Sequence, residues 1–276
     1  MTQNRLHSAA RTPIPTYWWR YDYPRKLNFG DELTPIIMER LFGRKAVWAD
    51  PSQCELASTG SILELLGELS VGNTINVWGS GFIRQGPSNQ AQNYVFHAVR
   101  GKRSRERLQN NQVAVGDPAL LLPLIFDPPA KPRYELGIVP HYVDQADERL
   151  WDFAAANPST KMIDVLDSPE VVVGNIRSCK RIMSSSLHGL IVADAFGIPS
   201  RQLTSINGLV GGNYKFGDHY SVFDSYAPAA PLSIDDITQA VLDPRPDVLD
   251  EWFSGNTIDP TELGRLQQGL IDSFPY

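Results

Sequence analysis

Cysteine is scarce in this sequence: Cys54 and Cys179 are the only two among 276 residues, and they lie far apart. They form none of the closely spaced pairs that bind zinc, and unpaired cysteine is usually buried. We therefore predict two free thiols in the core. The HExxH, CxxC and P-loop patterns are also absent, so no motif indicates a metal site or a nucleoside triphosphate site.

Basic residues are also scarce relative to acidic residues. The 25 basic residues are outnumbered by 31 acidic ones, which gives a formal net charge of −6. Proteins that bind duplex nucleic acid usually carry a basic face. The charge balance therefore disfavours nucleic acid as a partner.

Long apolar runs are missing too. No stretch approaches the roughly 20 apolar residues that a membrane-spanning helix needs, and residues 1–8 lack the apolar segment of a secretory signal. We expect a cytoplasmic protein, and peripheral attachment to a membrane enzyme complex stays open.

Strand-like and helix-like runs alternate from about residue 16 to residue 203, and a proline-rich segment at residues 126–132 interrupts them. Three prolines within five residues cannot continue a helix or a central strand, so we predict a linker there. Alternation on both sides predicts an α/β protein of two Rossmann-like parallel-sheet domains facing across a cleft. The predicted units are residues 1–127, residues 133–245 and a helical tail at residues 246–276.

The most informative stretch is residues 184–190. Three serines, Ser184, Ser185 and Ser186, follow a predicted strand, and His188 falls in the first turn of the next predicted helix. Backbone N–H groups at a helix N-terminus lack intrahelical partners, and the helix dipole favours negative charge there. Hydroxyl and imidazole groups add hydrogen-bond donors. The stretch predicts a pocket for a small phosphorylated or carboxylated ligand.

Two glycine-containing segments follow other predicted strands. In the first, Gly30 permits close backbone approach, and Asp31 either caps a helix or accepts a hydrogen bond from a sugar hydroxyl. The second is Gly79-Ser80-Gly81. It either presents backbone N–H groups to a ligand or is a plain glycine turn.

Charged residues mark three further strand ends or loops. Arg100 is expected at the cleft edge, where guanidinium binds carboxylate or phosphate with two hydrogen bonds. Asp117, before Pro118, is expected to cap a helix. Lys215 follows a glycine-rich run and is expected either on a flexible loop that closes over an anion or on an ordinary surface loop. His141 shows no partner pattern, which predicts a structural or exposed side chain.

In this order, the elements resemble the polysaccharide pyruvyltransferase family. The resemblance spans about residues 28–220. The segments that carry it are Asn28-x-Gly30-Asp31, Gly79-x-Gly81, Val99-Arg100-Gly101 with Ser104 and Leu108, residues 116–121, residues 184–190 with His188, and Lys215-Phe216-x-Asp218.

The resemblance implies a glycosyltransferase-B-like architecture, with the acceptor on the first domain and phosphoenolpyruvate on the second. It implies transfer of a pyruvyl group from phosphoenolpyruvate to two hydroxyls of a sugar. The product is a cyclic ketal on an exopolysaccharide or cell-envelope saccharide, and phosphate is released. Two alternatives stay open: a nucleotide-sugar glycosyltransferase of the same fold, and a non-catalytic sugar-binding partner.

Under this resemblance, His188 is a general acid or a phosphate ligand, Arg100 and Lys215 hold negative charge, and Asp31 is a base or an acceptor contact. The remaining substrate-binding candidates are Asn28, Gly30, Gly79, Ser80, Gly81, Ser184, Ser185, Ser186, Leu187 and Gly189. No cofactor or metal is expected besides the donor substrate. The expected partners are phosphoenolpyruvate and a saccharide acceptor, lipid-linked or free. Association with a polysaccharide-synthesis complex at the inner face of the membrane stays open.

Overall fold

Two parallel β-sheets with surrounding helices form the protein. The computed structural model describes residues 12–20, 28–69, 73–87, 93–127, 131–245, 247–255 and 257–276. Within them, one sheet has six strands and the other four. We call residues 12–127, which carry the larger sheet, the first half, and residues 131–245 the second half.

The six-stranded sheet has the order β2-β1-β3-β4-β5-β6, and every neighbouring pair is parallel. Its elements are β1 (Ile14–Tyr17), α1 (Leu33–Phe42), β2 (Ala46–Trp48), β3 (Leu56–Ala57), α2 (Leu63–Leu69), β4 (Ile75–Ser80), β5 (Tyr94–Val99), α3 (Lys102–Leu108), β6 (Ala114–Val115) and a 3₁₀ helix at Pro118–Leu124. From β1 the chain continues to β2 on one side, and the later strands β3 to β6 are added on the other side, so the switch point of this sheet lies between β1 and β3. In open parallel sheets, ligands bind beyond the carboxyl ends of the strands at such a switch point.

The four-stranded sheet repeats this arrangement, with the order β10-β9-β7-β8 and parallel pairing throughout. Its elements are β7 (Leu136–Val139), α4 (Glu148–Ala156), β8 (Thr160–Met162), α5 (Pro169–Arg177), β9 (Ile182–Ser184), α6 (Leu187–Ala195), β10 (Ser200–Gln202) and α7 (Tyr214–Tyr220). The switch point lies between β7 and β9. After α7, the described residues form three further helices: α8 (Ile234–Leu242), α9 (Val248–Trp252) and α10 (Pro260–Asp272).

Helix α6 lies at the centre of the packing. All nine of its residues are buried, and all but His188 and Asp194 are apolar or glycine, as expected for a helix surrounded by protein. One continuous apolar cluster includes Leu33 and Leu121 from the first half, and Val173 and Leu190 from the second. The two sheets therefore share a core instead of burying their apolar surfaces separately.

Helix α10 contacts both halves. The indole N–H of Trp78 on β4 donates to the carbonyl of Leu270 at 3.0 Å. At the other end of the helix, the carboxylate of Glu262 accepts from the backbone N–H groups of Asp224 and Ser225 at 3.0 and 3.2 Å. The C-terminal helix thus connects the larger sheet to the segment after α7.

The α/β class with parallel sheets is confirmed, and so are the two free, buried thiols. Burial raises the pKa of Cys54 to about 12 and that of Cys179 to about 11. The division into two domains facing across a cleft stays a prediction, and part of the predicted linker, residues 128–130, lies outside the described residues. No helix in the described part of the chain is long and apolar enough to cross a bilayer.

Candidate active site

The switch points of both sheets open onto one cavity of about 390 Å³. Its lining side chains all follow strands. They include Trp19, Asn28 and Asp31 after β1, Ser61 after β3, Ile83 and Arg84 after β4, His141 and Tyr142 after β7, Ser186, Leu187 and His188 after β9, and Lys215 after β10. Both halves thus contribute to the wall, at the edges where parallel sheets bind ligands.

The three predicted serines have different positions. The Ser184 hydroxyl donates to the carbonyl of Val139 at 2.7 Å and accepts from the N–H of Ser186 at 3.0 Å. The Ser185 hydroxyl donates to Asp144 at 2.7 Å. Ser186 is the N-cap of α6, makes no side-chain cap hydrogen bond, and lines the cavity. Ser184 and Ser185 therefore hold the segment in place, whereas the Ser186 hydroxyl is available to a ligand.

Two other residues of this segment also differ. Leu187 lines the cavity, as the sequence predicted. Gly189 does not, because it packs against β7 and β9: a Cβ there would overlap the Ser184 hydroxyl and lie 3.0 Å from Cβ of Val139. Its role is to let α6 lie close to the sheet.

His188 projects from the first turn of α6 towards the first half. A Cβ on Gly30 would overlap Nδ1 and Cγ of its imidazole ring, so the ring occupies space that only glycine leaves open. The backbone N–H of Gly30 donates to the Asn28 side chain at 3.2 Å. The Asn28-x-Gly30 segment therefore forms a socket for a histidine that lies 158 residues further along the chain.

Asp117 lies opposite the other nitrogen of His188. Its Oδ2 is 3.7 Å from His188 Nε2, and neither atom has a hydrogen-bond partner among the described residues. Burial works to raise the pKa of Asp117, but His188 and the N–H of Ala119 outweigh it, so this pKa lies below its ordinary value. The predicted capping role is also present, since Oδ1 accepts from Ala119 at 2.9 Å. Asp117 is thus both a cap and a buried anionic neighbour of His188.

Asp31 lines the cavity but does not cap α1, whose N-cap is Glu32. Burial raises the pKa of Asp31 to about 6, although nearby His188 and Lys215 act to lower it. A carboxyl group with a pKa this close to neutrality exchanges protons readily. This property suits a general base or a proton carrier.

Lys215 lies in the first turn of α7, not on a flexible loop. It is 8% exposed, and its Nζ lies 5.5 Å from the centre of the Phe216 ring, but no ion pair or hydrogen bond joins it to a described residue. Burial and the charge of Arg100 lower the pKa of Lys215 to about 8. An unpartnered, buried ammonium group in a cavity wall favours the binding of an anion.

Arg100 is not at the cleft edge, which corrects the sequence-based expectation. It is fully buried; its Nε donates to Asp218 at 3.0 Å, its Nη2 donates to the carbonyl of Phe82 at 2.6 Å, and its Nη1 donates to the Ser61 hydroxyl. Ser61 separates it from the cavity. Arg100 therefore acts on the cavity through its charge and through Ser61.

The Gly79-Ser80-Gly81 turn also lies away from the cavity. A Cβ on Gly79 would overlap the ring of Pro118, and one on Gly81 would overlap the Arg100 guanidinium. The Ser80 hydroxyl donates to the carbonyl of Gly60 at 2.9 Å. The turn therefore makes room for Arg100 and Pro118, which fits the plain glycine turn, and its ligand contact stays a prediction without support from the cavity lining.

His141 was missed by the sequence analysis. It lies in the cavity wall directly after β7, and its backbone N–H donates to the Ser185 hydroxyl at 2.9 Å. The position directly after a strand was the available signal, since several other lining segments share it. Among the described residues, no three His, Cys, Asp or Glu side chains form a group that could hold a metal ion.

Comparisons with known proteins agree with the motif order. A family model described as polysaccharide pyruvyl transferase matches residues 2–203, which include Asp31, His141 and His188. The uncharacterized protein L143 of Acanthamoeba polyphaga mimivirus is 30% identical over 215 residues, or 73% of this chain and 72% of that protein. The match covers both sheets and most of the cavity wall, and the chain belongs to the polysaccharide pyruvyl transferase family.

Proposed function

We propose that the protein transfers a pyruvyl group from phosphoenolpyruvate to two hydroxyls of a saccharide, forming a cyclic ketal and releasing phosphate. The observation that carries this proposal is the cavity itself. It combines a buried ammonium that no described residue binds as a counter-ion, Lys215, with the N-terminus of α6 and a histidine beside a buried carboxylate. A donor with both a phosphate and a carboxylate needs such a set of cations and N–H donors.

In the proposed reaction, His188 donates a proton to the methylene carbon of phosphoenolpyruvate, which leaves a methyl group and an oxocarbenium-like C2. One sugar hydroxyl attacks C2 and gives its proton to His188, which returns to its protonated form. The bond between C2 and the phosphate oxygen then breaks, the second hydroxyl closes the ketal, and its proton passes through Asp31 to the departing phosphate. Lys215 stabilises the negative charge on the phosphate as it leaves.

The proposed acceptor is a saccharide of an exopolysaccharide or cell-envelope polymer, free or lipid-linked. Trp19 and Tyr142 in the cavity wall support a sugar ligand, because aromatic rings provide apolar contact area beside the polar groups that fix its orientation. We further propose a cytoplasmic location, at the inner face of the membrane if the acceptor is lipid-linked, and catalysis without a cofactor or metal.

The test is a phosphate-release assay with phosphoenolpyruvate and a panel of saccharide acceptors. His188→Ala is expected to lose about 100-fold or more of the turnover, in the range of general acid catalysis. The matched control is His97→Ala, since His97 on β5 lies outside the cavity and contacts Asn76. Near-wild-type turnover in a folded His188→Ala protein would remove His188 from the mechanism.

Ligand-induced thermal stabilisation separates the alternatives. Stabilisation by phosphoenolpyruvate supports pyruvyl transfer, whereas stabilisation by a nucleotide-diphosphate sugar alone indicates a glycosyltransferase. Saccharide binding without phosphate release indicates a non-catalytic binding partner.

A further inference from the structure

His141 is held in a fixed orientation at the end of β7. Its backbone N–H donates to Ser185, whose hydroxyl in turn donates to Asp144 at 2.7 Å. Asp144 is fully buried, and its other oxygen accepts from the Ser205 hydroxyl at 3.0 Å. His141 lines the cavity. The hydrogen-bonded frame thus fixes the backbone of His141 in the cavity wall.

The hydrogen bond to one ring nitrogen determines the tautomer. The backbone N–H of Val143 donates to Nδ1 of His141 at 3.4 Å. A nitrogen that accepts a hydrogen bond carries no proton, so the proton of a neutral imidazole is on Nε2. His141 therefore has a single N–H donor.

Burial, together with one nearby cation, keeps the ring neutral. Lys215 is the cation that faces it, and Asp144 is the nearby anion. Asp144 already accepts from two hydroxyls and from the backbone N–H groups of Ile206 and Asn207. Burial and Lys215 lower the pKa of His141 to about 4, and Asp144 only partly opposes them. At neutral pH the ring is an uncharged donor beside an ammonium group.

We propose that His141 binds an oxyanion of the donor substrate through a neutral Nε2–H, alongside Lys215 and the N-terminus of α6. The identity of the donor rests on the proposed function, but the binding of an anion does not. Phosphate and carboxylate oxygens both fit this chemistry. An uncharged donor suits the position, because a second cation there would repel Lys215.

The proposal divides the work between two histidines. His188 faces the carboxylate of Asp117 and moves a proton, whereas His141 faces Lys215 and only donates a hydrogen bond. Different neighbours around two residues of the same type are a common way for an enzyme to assign such roles.

The first test measures the tautomer directly. Long-range ¹H–¹⁵N correlation spectra of histidine-labelled protein are recorded between about pH 5.5 and 8, and the signals of His141 are assigned by their absence in His141→Gln. We expect an Nε2–H tautomer that does not titrate in this range. A ring that gains a proton in the range, or carries its proton on Nδ1, overturns the proposal.

The second test measures anion binding without catalysis, with inorganic phosphate and pyruvate as separate probes. His141→Ala and His141→Asn are expected to weaken binding of the recognised anion about tenfold or more, since a hydrogen bond to a charged group is lost. His141→Gln places an amide N–H near the position of Nε2–H and is expected to recover most of the affinity. The probe that is affected identifies the phosphate or the carboxylate as the bound group.

His97→Gln is the matched control, because it makes the same substitution outside the cavity. Its anion affinity is expected to equal that of the wild type. Equal affinities in His141→Ala and the wild type, for both probes, contradict the proposal. If His141 controls phosphate binding but no saccharide supports phosphate release from phosphoenolpyruvate, the inference stands and the proposed function fails.

Discussion

Charged residues in and beside the cavity lack a full set of partners. Behind His188, one oxygen of Asp117 has no hydrogen-bond partner among the described residues. In the cavity wall, Lys215 makes no ion pair with them, and burial lowers its pKa. A buried group whose charged form is disfavoured in this way lowers stability. Groups of this kind concentrate at functional sites, since a ligand supplies what the fold omits.

Asp31 should therefore reduce stability at neutral pH. Its carboxyl ionises with an ordinary pKa of 3.8 when exposed, and burial raises this pKa to about 6. Because folding favours the protonated form, its stabilising effect is present at low pH and is lost as the pH rises through about 6. Asp31→Asn is expected to raise the free energy of unfolding by up to about 3 kcal/mol near pH 8, and by far less near pH 4. Denaturant unfolding at both pH values measures this.

Asp50→Asn provides the control for this experiment. Hydrogen bonds from Ser52 lower the pKa of the exposed Asp50, so removing its charge should not stabilise the protein. A stability gain in Asp31→Asn that is the same at both pH values would contradict the argument.

Asp117→Asn separates the two roles of this residue. The amide oxygen keeps the cap to Ala119, while the negative charge opposite His188 is removed. We expect turnover to fall about 10- to 100-fold, with a smaller loss of stability than in Asp117→Ala, which also loses a cap worth about 1 kcal/mol. Phosphate release and thermal unfolding of both variants are the measurements. Wild-type turnover in Asp117→Asn would show that His188 works without this carboxylate.

At the scale of structural elements, the loops after the strands form the site, and glycine sets how closely they approach. Gly30 leaves room for His188, and Gly189 lets α6 pack on β7 and β9. The segment that contains Gly30 follows a strand of the six-stranded sheet, whereas α6, which carries His188 and Gly189, follows a strand of the four-stranded sheet. The two can come into contact only because residue 30 has no side chain.

Gly30→Ala should therefore disable the site with little effect on the rest of the fold. The added Cβ would overlap the His188 ring, so the histidine must move. We expect a loss of turnover of about 100-fold, similar to that of removing the acid. Gly174→Ala is the control, since no atom lies within 4 Å of a Cβ there. In helix α5 it should retain activity and gain about 0.5–1 kcal/mol. Equal activity of the two variants would contradict the role of Gly30.

The elements show what the sequence could predict. Alternating runs predicted the parallel sheets, and strand ends predicted Asp31, Ser186 and His188 in the cavity. Lys215 was predicted on a loop after a glycine-rich run, and it reaches the cavity from helix α7 instead. Arg100 and the Gly79-Ser80-Gly81 turn satisfied the same rule but lie behind the wall. Whether a strand-end residue faces the cavity depends on partners such as Asp218, which lies 118 residues away from Arg100. Sequence spacing does not contain that information.

At the scale of the whole molecule, the two halves are held together by a common core and by charge. The continuous apolar cluster joins them, and among the described residues three lysine or arginine ion pairs cross between them, of which two contrast in burial. Arg100 pairs with Asp218, with both side chains fully buried, and Arg40 pairs with Glu170, with both about half exposed. Both pairs join the same two halves but differ in burial, so a comparison of the two shows how burial changes the contribution of an ion pair to stability.

Asp218→Asn should destabilise the protein by about 3–5 kcal/mol, because it leaves the buried Arg100 without its counter-charge. Glu170→Gln should change stability by less than about 1 kcal/mol, as is usual for exposed pairs. Scanning calorimetry of the wild type should show a single transition, because the core is shared. Two separated transitions would contradict a shared core, and equal effects of the two substitutions would contradict the burial argument.

The socket for His188 also has an evolutionary consequence. Gly30 and His188 must be inherited together, and so must Arg100 and Asp218, although the members of each pair are more than 100 residues apart. Recombination between divergent relatives at the proline-rich segment, residues 126–132, would separate both pairs at once. Each half of such a hybrid would retain its own sheet. The His188 ring would then come from one parent and residue 30, which must leave room for it, from the other. At these positions, a substitution in one half of the chain therefore requires a matching substitution in the other half.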